Sequence, residues 1–140
     1  MVDRALVLRK LAELEEYLRQ IKEYADITVE QYSKDWKTQR VIERTLQMII
    51  ETCIDIAGHI ISDKGYRIPS SYADTFRVLH ENNILGKDLF AALEKMAKFR
   101  NIIVHRYDRI DGEIITGLLK RDLDSLLHYK KAVIDAMDTD

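Results

Sequence analysis

Apolar residues recur three and four positions apart along two long stretches of the N-terminal half. In residues 3–25 they form a single seam, consisting of Val7, Leu11, Leu14, Leu18, Ile21 and Ala25. In residues 37–62 the same spacing marks the buried side of a second segment, through Ile42, Leu46, Ile49, Cys53, Ile56 and Ile60. This period is typical of amphipathic helices with one face in a core. The sequence therefore predicts two long helices at 3–25 and 37–62.

Residues that mark helix boundaries are recognisable in the connector between these two helices and in the loop after the second one. Residues 26–36 predict one helical turn that starts at Thr28. Gly65 is suited to end the second helix in a left-handed conformation. Pro69 then prevents the helix from continuing and predicts a loop.

A shorter third helix is predicted to begin at Ser71, where Asp74 follows three residues later as in a weak capping box. Its inward residues are expected to be Tyr72, Phe76 and Leu79, and Asn82, Asn83 and Gly86 close it. The fourth helix is predicted from Lys87 to Val104, with Leu89, Leu93, Met96, Phe99 and Ile103 as its core ridge.

A turn is predicted from Asp108 to Gly112, followed by a last helix from Glu113 to Met137. The inward residues of that helix are Ile115, Leu119, Leu123, Leu126, Val133 and Ile134. No segment shows the period-2 alternation of a strand, and the chain has only one Pro and five Gly. We therefore predict an all-α protein in which residues 1–140 form one antiparallel bundle of four to five helices.

Charge and cysteine content narrow the classes of function. The net charge is −2, so any RNA contact must come from a local basic patch or from a surface that two subunits share. Cys53 is the only cysteine, which excludes an intrachain disulfide and fits a reducing cytosol; we expect it to be a buried small hydrophobe. No run approaches the roughly 20 apolar residues of a membrane span. The sequence predicts a cytoplasmic protein without a membrane segment.

A local basic patch lies where the fourth helix is predicted to end. It contains Lys95, Lys98, Arg100, His105, Arg106 and Arg109, and its nearby acids are Glu94 and Asp108. Cleavage of RNA without a metal needs a group that moves protons near neutral pH and a cation that holds phosphate. A histidine and an arginine supply these functions. The patch makes Lys98, Arg106 and Arg109 candidates for RNA binding.

The spacing of Arg100 and His105 sets a geometric condition. Five residues apart, they point about 140° from each other on an unbroken helix. To meet at one phosphate, either the helix must end or distort near Val104, or one group must come from a second subunit. The residues alone also fit a structural explanation, in which both cations interact with the dipole of a helix end.

The run Arg100-Asn101-Ile102-Ile103-Val104-His105-Arg106-Tyr107 resembles the R-x4-H-x-Y motif of the HEPN superfamily, and specifically its HepT-like toxins. The resemblance continues through Ile68-Pro69-Ser70-Ser71-Tyr72 and Asn83-Ile84-Leu85. The first two helices resemble the family more loosely, including the stripe that carries Glu51 and Asp55.

This resemblance implies a HEPN-type bundle that forms a homodimer, with the two motifs in a shared cleft. It implies a metal-independent endoribonuclease toxin that needs no cofactor and cleaves tRNA or mRNA, with Arg100 and His105 as the catalytic pair and Asn101 in support. It also implies a partner, an MntA-like nucleotidyltransferase antitoxin that attaches AMP to Tyr107. The residues alone favour a structural role for Tyr107, as a partly buried aromatic residue that caps the bundle end.

Three alternatives remain open on the sequence. The first is a non-catalytic HEPN module that binds a nucleotidyltransferase and nucleotide or RNA phosphates. The second is a metal-site bundle that uses Asp55 with His59 and Asp124 with His128, although the chain has no Glu-x-x-His pair. The third is a plain oligomerisation bundle, in which Trp36 either anchors a loop or marks a contact surface.

Overall fold

The computed structural model describes residues 2–105 and 111–138, with only the backbone of His105. Within these residues the chain contains seven helices and no strand, which confirms the all-α prediction. The helices are α1 (Arg4–Lys22), α2 (Val29–Lys34), α3 (Trp36–Lys64), α4 (Tyr72–Glu81), α5 (Lys87–His105), α6 (Gly112–Arg121) and α7 (Leu123–Asp138). None of these helices is long and apolar enough to cross a membrane.

The longest helix, α3, lies at the centre of the bundle. It packs against α1, α2, α4 and α5, while α7 packs against α1, α5 and α6. The predicted seam of α3 is buried throughout, and in α1 the seam is buried from Val7 to Ile21, whereas Ala25 lies beyond the helix end and is half-buried. The hydrophobic periodicity therefore identified the main contact between α1 and α3.

Local capping explains where the first three helices begin and end. The Asp3 carboxylate accepts a hydrogen bond from the Leu6 amide, so α1 starts at Arg4. Thr28 forms a reciprocal capping box with Gln31, which confirms the predicted turn and extends it to the six residues of α2. Asp35 caps α3, which ends at Gly65 with a φ of 69°. The prediction for Gly65 is thus confirmed.

The C-terminal region differs from the single helix predicted for Glu113–Met137. Asp122 ends α6 and separates it from α7, with its amide bonded to the Leu118 carbonyl and its carboxylate 3.1 Å from the Lys95 ammonium. The periodic pattern of apolar residues continues through this break, which is why it was missed. At the other end of α6, a Cβ on Gly112 would lie 3.2 Å from the Tyr32 side chain, so α6 begins close to α2.

Tyr129 connects the last helix to the middle of the bundle. Its hydroxyl donates a 2.7 Å hydrogen bond to the Cys53 carbonyl, and its ring meets the Phe76 ring edge to face with centroids 5.9 Å apart. Cys53 is buried, as predicted, and burial raises the pKa of its thiol. Burial also raises the pKa of the Tyr129 hydroxyl. This contact joins α3, α4 and α7.

A cluster of ion pairs fixes the loop before α4. The Arg67 guanidinium donates two hydrogen bonds to Asp74, of 2.7 and 2.8 Å, and two of 2.9 Å to Glu81. Asp74 also accepts from the Ser70 amide at 2.9 Å. The Arg67 guanidinium, together with Ser70, holds the pKa of the Asp74 carboxyl well below its usual range. We refer to Arg67, Asp74 and Glu81 as the Arg67 clamp.

The orientation predicted for Tyr72 is wrong. Phe76 and Leu79 are buried as expected, but Tyr72 is 44 % exposed. Ser71 is the N-cap of α4, and its hydroxyl accepts from the Asp74 amide. Tyr72 is therefore the first helical residue, at an end of α4 where the repeat that buries Phe76 and Leu79 no longer applies.

Candidate functional site

Helix α5 carries the predicted catalytic motif and continues without interruption to His105. The helix therefore shows no distortion up to Val104, and the predicted ending near Val104 coincides with the last described residue of α5, His105. Positions 100 and 105 of a regular helix lie about 140° apart around its axis. This separation is compatible with a site that two subunits share.

The Arg100 side chain is held by an ion pair with the central helix. Its Nε donates a 3.0 Å hydrogen bond to Oε2 of Glu51, and its Nη2 lies 2.8 Å from the same oxygen as part of the ion pair. The Arg100 side chain is 15 % exposed and that of Glu51 is 38 % exposed. Gln47 Nε2 also donates to this oxygen at 3.1 Å. Because Glu51 binds one edge of the guanidinium, Nη1 and the second proton of Nη2 are left for an anionic ligand.

Tyr72 and Asn101 complete the surroundings of Arg100. The guanidinium lies over the Tyr72 ring, with its carbon 4.7 Å from the ring centroid, which is a cation–π geometry. Nη1 lies 3.5 Å from Oδ1 of Asn101, a long contact. Asn101 is exposed, so its amide is accessible to a ligand beside Arg100. We refer to Glu51, Tyr72, Arg100 and Asn101 as the Arg100 site.

The other predicted site residues are not gathered at this point. Lys98 is exposed, lies about 200° around α5 from Arg100 and makes a 3.8 Å ion pair with Glu94. The predictions for Arg106, Tyr107 and Arg109 fall outside the described residues, and so does the prediction for the His105 side chain. The described part of the chain therefore contains Arg100 and Asn101 of the predicted motif with their side chains.

Sequence reasoning did not identify the roles of Glu51 and Tyr72. Glu51 was noticed only as part of a polar stripe on the second long helix, and its partner lies 49 residues further along the chain. A carboxylate on the central helix of the bundle is a signal for a paired cation, but it does not say which cation. Tyr72 gave no signal because its contact with Arg100 depends on how α4 packs against α5.

Of the two carboxylate and imidazole pairs that suggested a metal site, the pair of Asp55 and His59 has a lysine as a further neighbour. Asp55 pairs with Lys10, and its Oδ1 lies 3.6 Å from Nε2 of His59. Within residues 2–105 and 111–138, excluding the His105 side chain, no group of three or more His, Cys, Asp or Glu side chains is arranged to hold a metal ion. The described residues thus offer an anion site at Arg100 and no candidate metal site.

Comparison with known proteins connects this geometry to a family. The model of the family described as "Ribonuclease HepT-like" matches residues 14–133. The mRNA nuclease HepT of Shewanella oneidensis is 32 % identical over 125 residues, covering 89 % of this chain and 92 % of that protein. The tRNA nuclease HepT of Aphanizomenon flos-aquae is 28 % identical over 110 residues, covering 79 % of this chain and 75 % of the relative.

Solved structures show the same fold. A toxin–antitoxin crystallised with AMP-PNP has a TM-score of 0.85 and 28 % identity, covering 98 % of this chain and all of the matched one. The tri-AMPylated Shewanella oneidensis HEPN toxin in complex with its MNT antitoxin has a TM-score of 0.83 and 30 % identity, with both chains fully covered. The helical arrangement described above is therefore that of HEPN toxins.

Proposed function

This chain belongs to the ribonuclease HepT-like family, and from that premise we propose that it is the endoribonuclease toxin of a toxin–antitoxin pair, cleaving RNA at the Arg100 site without a metal ion. The observation that carries the proposal is the fixed Arg100 guanidinium, with one edge held by Glu51 and the other left for phosphate. The relatives named mRNA nuclease and tRNA nuclease support RNA as the substrate class.

In the proposed reaction Arg100 and His105 have separate roles. Arg100 binds a non-bridging oxygen of the scissile phosphate and stabilises the charge that develops on it. His105 moves protons, from the ribose 2′-hydroxyl and to the departing 5′-oxygen. Asn101, whose Oδ1 lies 3.5 Å from Arg100 Nη1, supports the orientation of this pair. Lys98, Arg106 and Arg109 are proposed to contact flanking phosphates.

We further propose that the active form is a homodimer whose two motifs share one cleft in the cytosol. The continuous α5 helix supports this arrangement, because it separates Arg100 from the His105 of the same chain. Two subunits would also place two Arg100 sites along one RNA. Two local basic patches on one RNA would strengthen binding by a chain whose net charge is −2.

The proposed partner is an MntA-like nucleotidyltransferase antitoxin that silences the enzyme at Tyr107. The Tyr107 hydroxyl would attack the α-phosphate of ATP, releasing pyrophosphate and a proton and leaving AMP on the phenolic oxygen. The added phosphate charge beside Arg100 would occupy its guanidinium and repel RNA. The AMPylated Shewanella oneidensis toxin in complex with its antitoxin supports this mode of control.

The proposal is tested by incubating the purified chain with tRNA and mRNA in excess EDTA. We expect cleavage by the wild type and a loss of about a hundredfold or more in His105→Ala and Arg100→Ala, the usual scale for removing a proton-transfer or charge-stabilising group. His128→Ala, at an exposed histidine of α7, is the matched control and should cleave as wild type does. Equal cleavage by His105→Ala would contradict the assignment.

The same assay tests control by the antitoxin. After incubation with the cognate nucleotidyltransferase and ATP, the mass of the wild type should increase by that of an added AMP group, and its RNA cleavage activity should be lost. Tyr107→Phe should show neither the added mass nor the loss of activity. Inhibition of Tyr107→Phe to the same extent would show that silencing acts elsewhere. Absence of cleavage by unmodified wild type would favour the non-catalytic binding module.

A further inference from the structure

An open groove lies beside the Arg100 site, between α3, the loop before α4 and the end of α5. Its volume is about 560 Å³, within the range of ordinary small-ligand sites. The residues that matter for the argument are Asp55, Gly58, Ser70, Tyr72, Thr75 and Asn101. Tyr72 and Asn101 belong to both the groove and the Arg100 site, so a ligand in the groove would be next to a phosphate on Arg100.

Tyr72 provides an aromatic surface in this groove. Arg100 covers one face of the ring, and the side chain is still 44 % exposed where it lines the groove. A second planar group can therefore stack on the part of the ring that Arg100 leaves uncovered. An aromatic ring beside a phosphate-binding arginine is the combination that binds single-stranded nucleic acid, with the base on the ring and the phosphate on the cation.

The hydroxyl groups of the groove favour stacking over reading of the base edge. The Ser70 hydroxyl donates to Asp74, and the Thr75 hydroxyl donates to the Ser71 carbonyl, so neither proton is left for a base. Asp55 is paired with Lys10, which offsets the repulsion that a carboxylate would exert on RNA. Stacking tolerates different bases, because every base offers an aromatic face.

Gly58 keeps the groove open on the side of α3. It is exposed, inside a helix of 29 residues, and a Cβ built on it would meet no atom within 4 Å. Glycine weakens the interior of a helix relative to alanine, so helix stability does not favour it here. A longer side chain at this position would extend into the space opposite Tyr72 and occupy it.

We propose that this groove is a nucleobase subsite, in which a base adjacent to the phosphate on Arg100 stacks on Tyr72 and enters the space left open at Gly58. The inference rests on the proposed ribonuclease function and adds to it a site for one base of the substrate. It predicts that RNA binding depends on the presence of bases and that this dependence is lost when Tyr72 is removed or the space at Gly58 is filled.

The test measures binding of RNA to His105→Ala protein, so that it does not depend on cleavage. Fluorescence anisotropy compares a short oligoadenylate with a ribose-phosphate oligomer of the same length that lacks bases. We expect the base-containing strand to bind about tenfold or more tightly, the scale of a stacked base. Tyr72→Ala and Gly58→Gln, each added to the His105→Ala protein, should reduce the ratio of the two affinities severalfold. Tyr72→Phe in place of Tyr72→Ala should keep most of this ratio.

Two matched variants control for surface changes. Trp36→Ala removes an exposed aromatic ring at the start of α3, and Ser62→Gln places a glutamine one turn beyond Gly58 on the same helix, outside the groove. Both variants should keep the affinity ratio of the His105→Ala protein. Circular dichroism establishes that each variant is folded, and a replacement for any unfolded one is made at the same position, with Gly58→Asn or Tyr72→Leu.

The outcomes separate this inference from the ribonuclease proposal. An unchanged base preference in Gly58→Gln would overturn the subsite, even if Tyr72→Ala binds poorly, because Tyr72 would then act only through Arg100. Equal binding of the two strands by the His105→Ala protein would also overturn the subsite. Loss of base preference in both variants would support the subsite, and if the wild type nevertheless failed to cleave RNA, only the ribonuclease proposal would fall.

Discussion

Arg100 is the side chain whose environment most directly limits what the site can do. Both contacts to Glu51 use one carboxylate oxygen, which also accepts from Gln47. The arginine is thus fixed in direction before any ligand arrives, and fixed donors stabilise developing charge better than mobile ones. The same carboxylate opposes binding of phosphate, since it is a negative charge near the ligand. These two effects predict that replacement of Glu51 lowers kcat without raising KM.

Replacing Glu51 by alanine should lower kcat about ten- to a hundredfold, because Arg100 loses its orientation, the scale of a misplaced catalytic group. KM should not rise, since a negative charge leaves the site. Glu51→Gln should recover most of kcat, because an amide oxygen can still accept from Arg100. Steady-state cleavage of a labelled RNA measures both constants. A rise in kcat for Glu51→Ala would mean that Glu51 mainly competes with substrate.

How far the site follows from the sequence is also decided residue by residue. The motif from Arg100 to Tyr107 identified the family and the basic centre because its residue types and spacing are local. The contacts of Glu51 and Tyr72 with Arg100 depend on the packing of α3, α4 and α5, which no spacing within one helix contains. Periodicity says which face of a helix is polar, and packing alone decides which polar groups meet.

At the scale of the elements, charged contacts join α4 to the loop before it. The Arg67 clamp joins the preceding loop to the beginning and end of this ten-residue helix, and the loop and first turn carry Ser70 and Tyr72 of the groove. The depressed pKa of Asp74 means that its ionised form is favoured in the folded state. The stabilisation is therefore complete above the ordinary carboxyl pKa and is lost as the pH falls towards the depressed value.

Asp74→Asn should accordingly be less stable than the wild type at neutral pH, with a difference that shrinks as the pH falls below about 4. Urea unfolding followed by circular dichroism at a series of pH values measures this difference. Asp26→Asn, at an exposed carboxylate in the turn after α1, is the control and should show a smaller change. A difference for Asp74→Asn that grows at acid pH would contradict the assignment of the clamp.

The elements also differ in how well the sequence predicted them. The ranges of α1 and α3 were predicted within a few residues, since long apolar seams and strong caps agree there. The separation of α6 from α7 at Asp122 was missed because the apolar repeat runs through it and the break depends on local capping and on Lys95 from another helix. Periodicity identifies buried faces more reliably than it identifies helix ends.

At the scale of the whole molecule, the continuous α5 helix supports a site that two subunits share. If one site combines Arg100 of one subunit with His105 of the other, mixed dimers of Arg100→Ala and His105→Ala contain one intact site. Random mixing of equal amounts of the two variants makes about half of the dimers mixed. One of the two sites in each mixed dimer is intact, so about a quarter of wild-type activity should return. The two variants are unfolded and refolded together, then assayed for RNA cleavage.

Recovery is the signature of a shared site, since each variant alone is inactive in either arrangement. No recovery, in a sample where mass spectrometry of differently labelled subunits shows exchange, would mean that both groups act within one chain. In that case the region after Val104 would have to bring His105 towards its own Arg100. The experiment therefore tests the dimer cleft without relying on the structure of any relative.

The buried Cys53 thiol can be used to measure how often the helical bundle opens. Its sulfur is the only thiol in the sequence, and its backbone carbonyl is bonded to Tyr129 of α7 across the centre of the bundle. Since burial raises the pKa of the thiol, almost no thiolate exists while the helices stay packed. Alkylation therefore requires the packing around Cys53 to open, and the labelling rate reports how often the core of the bundle does so.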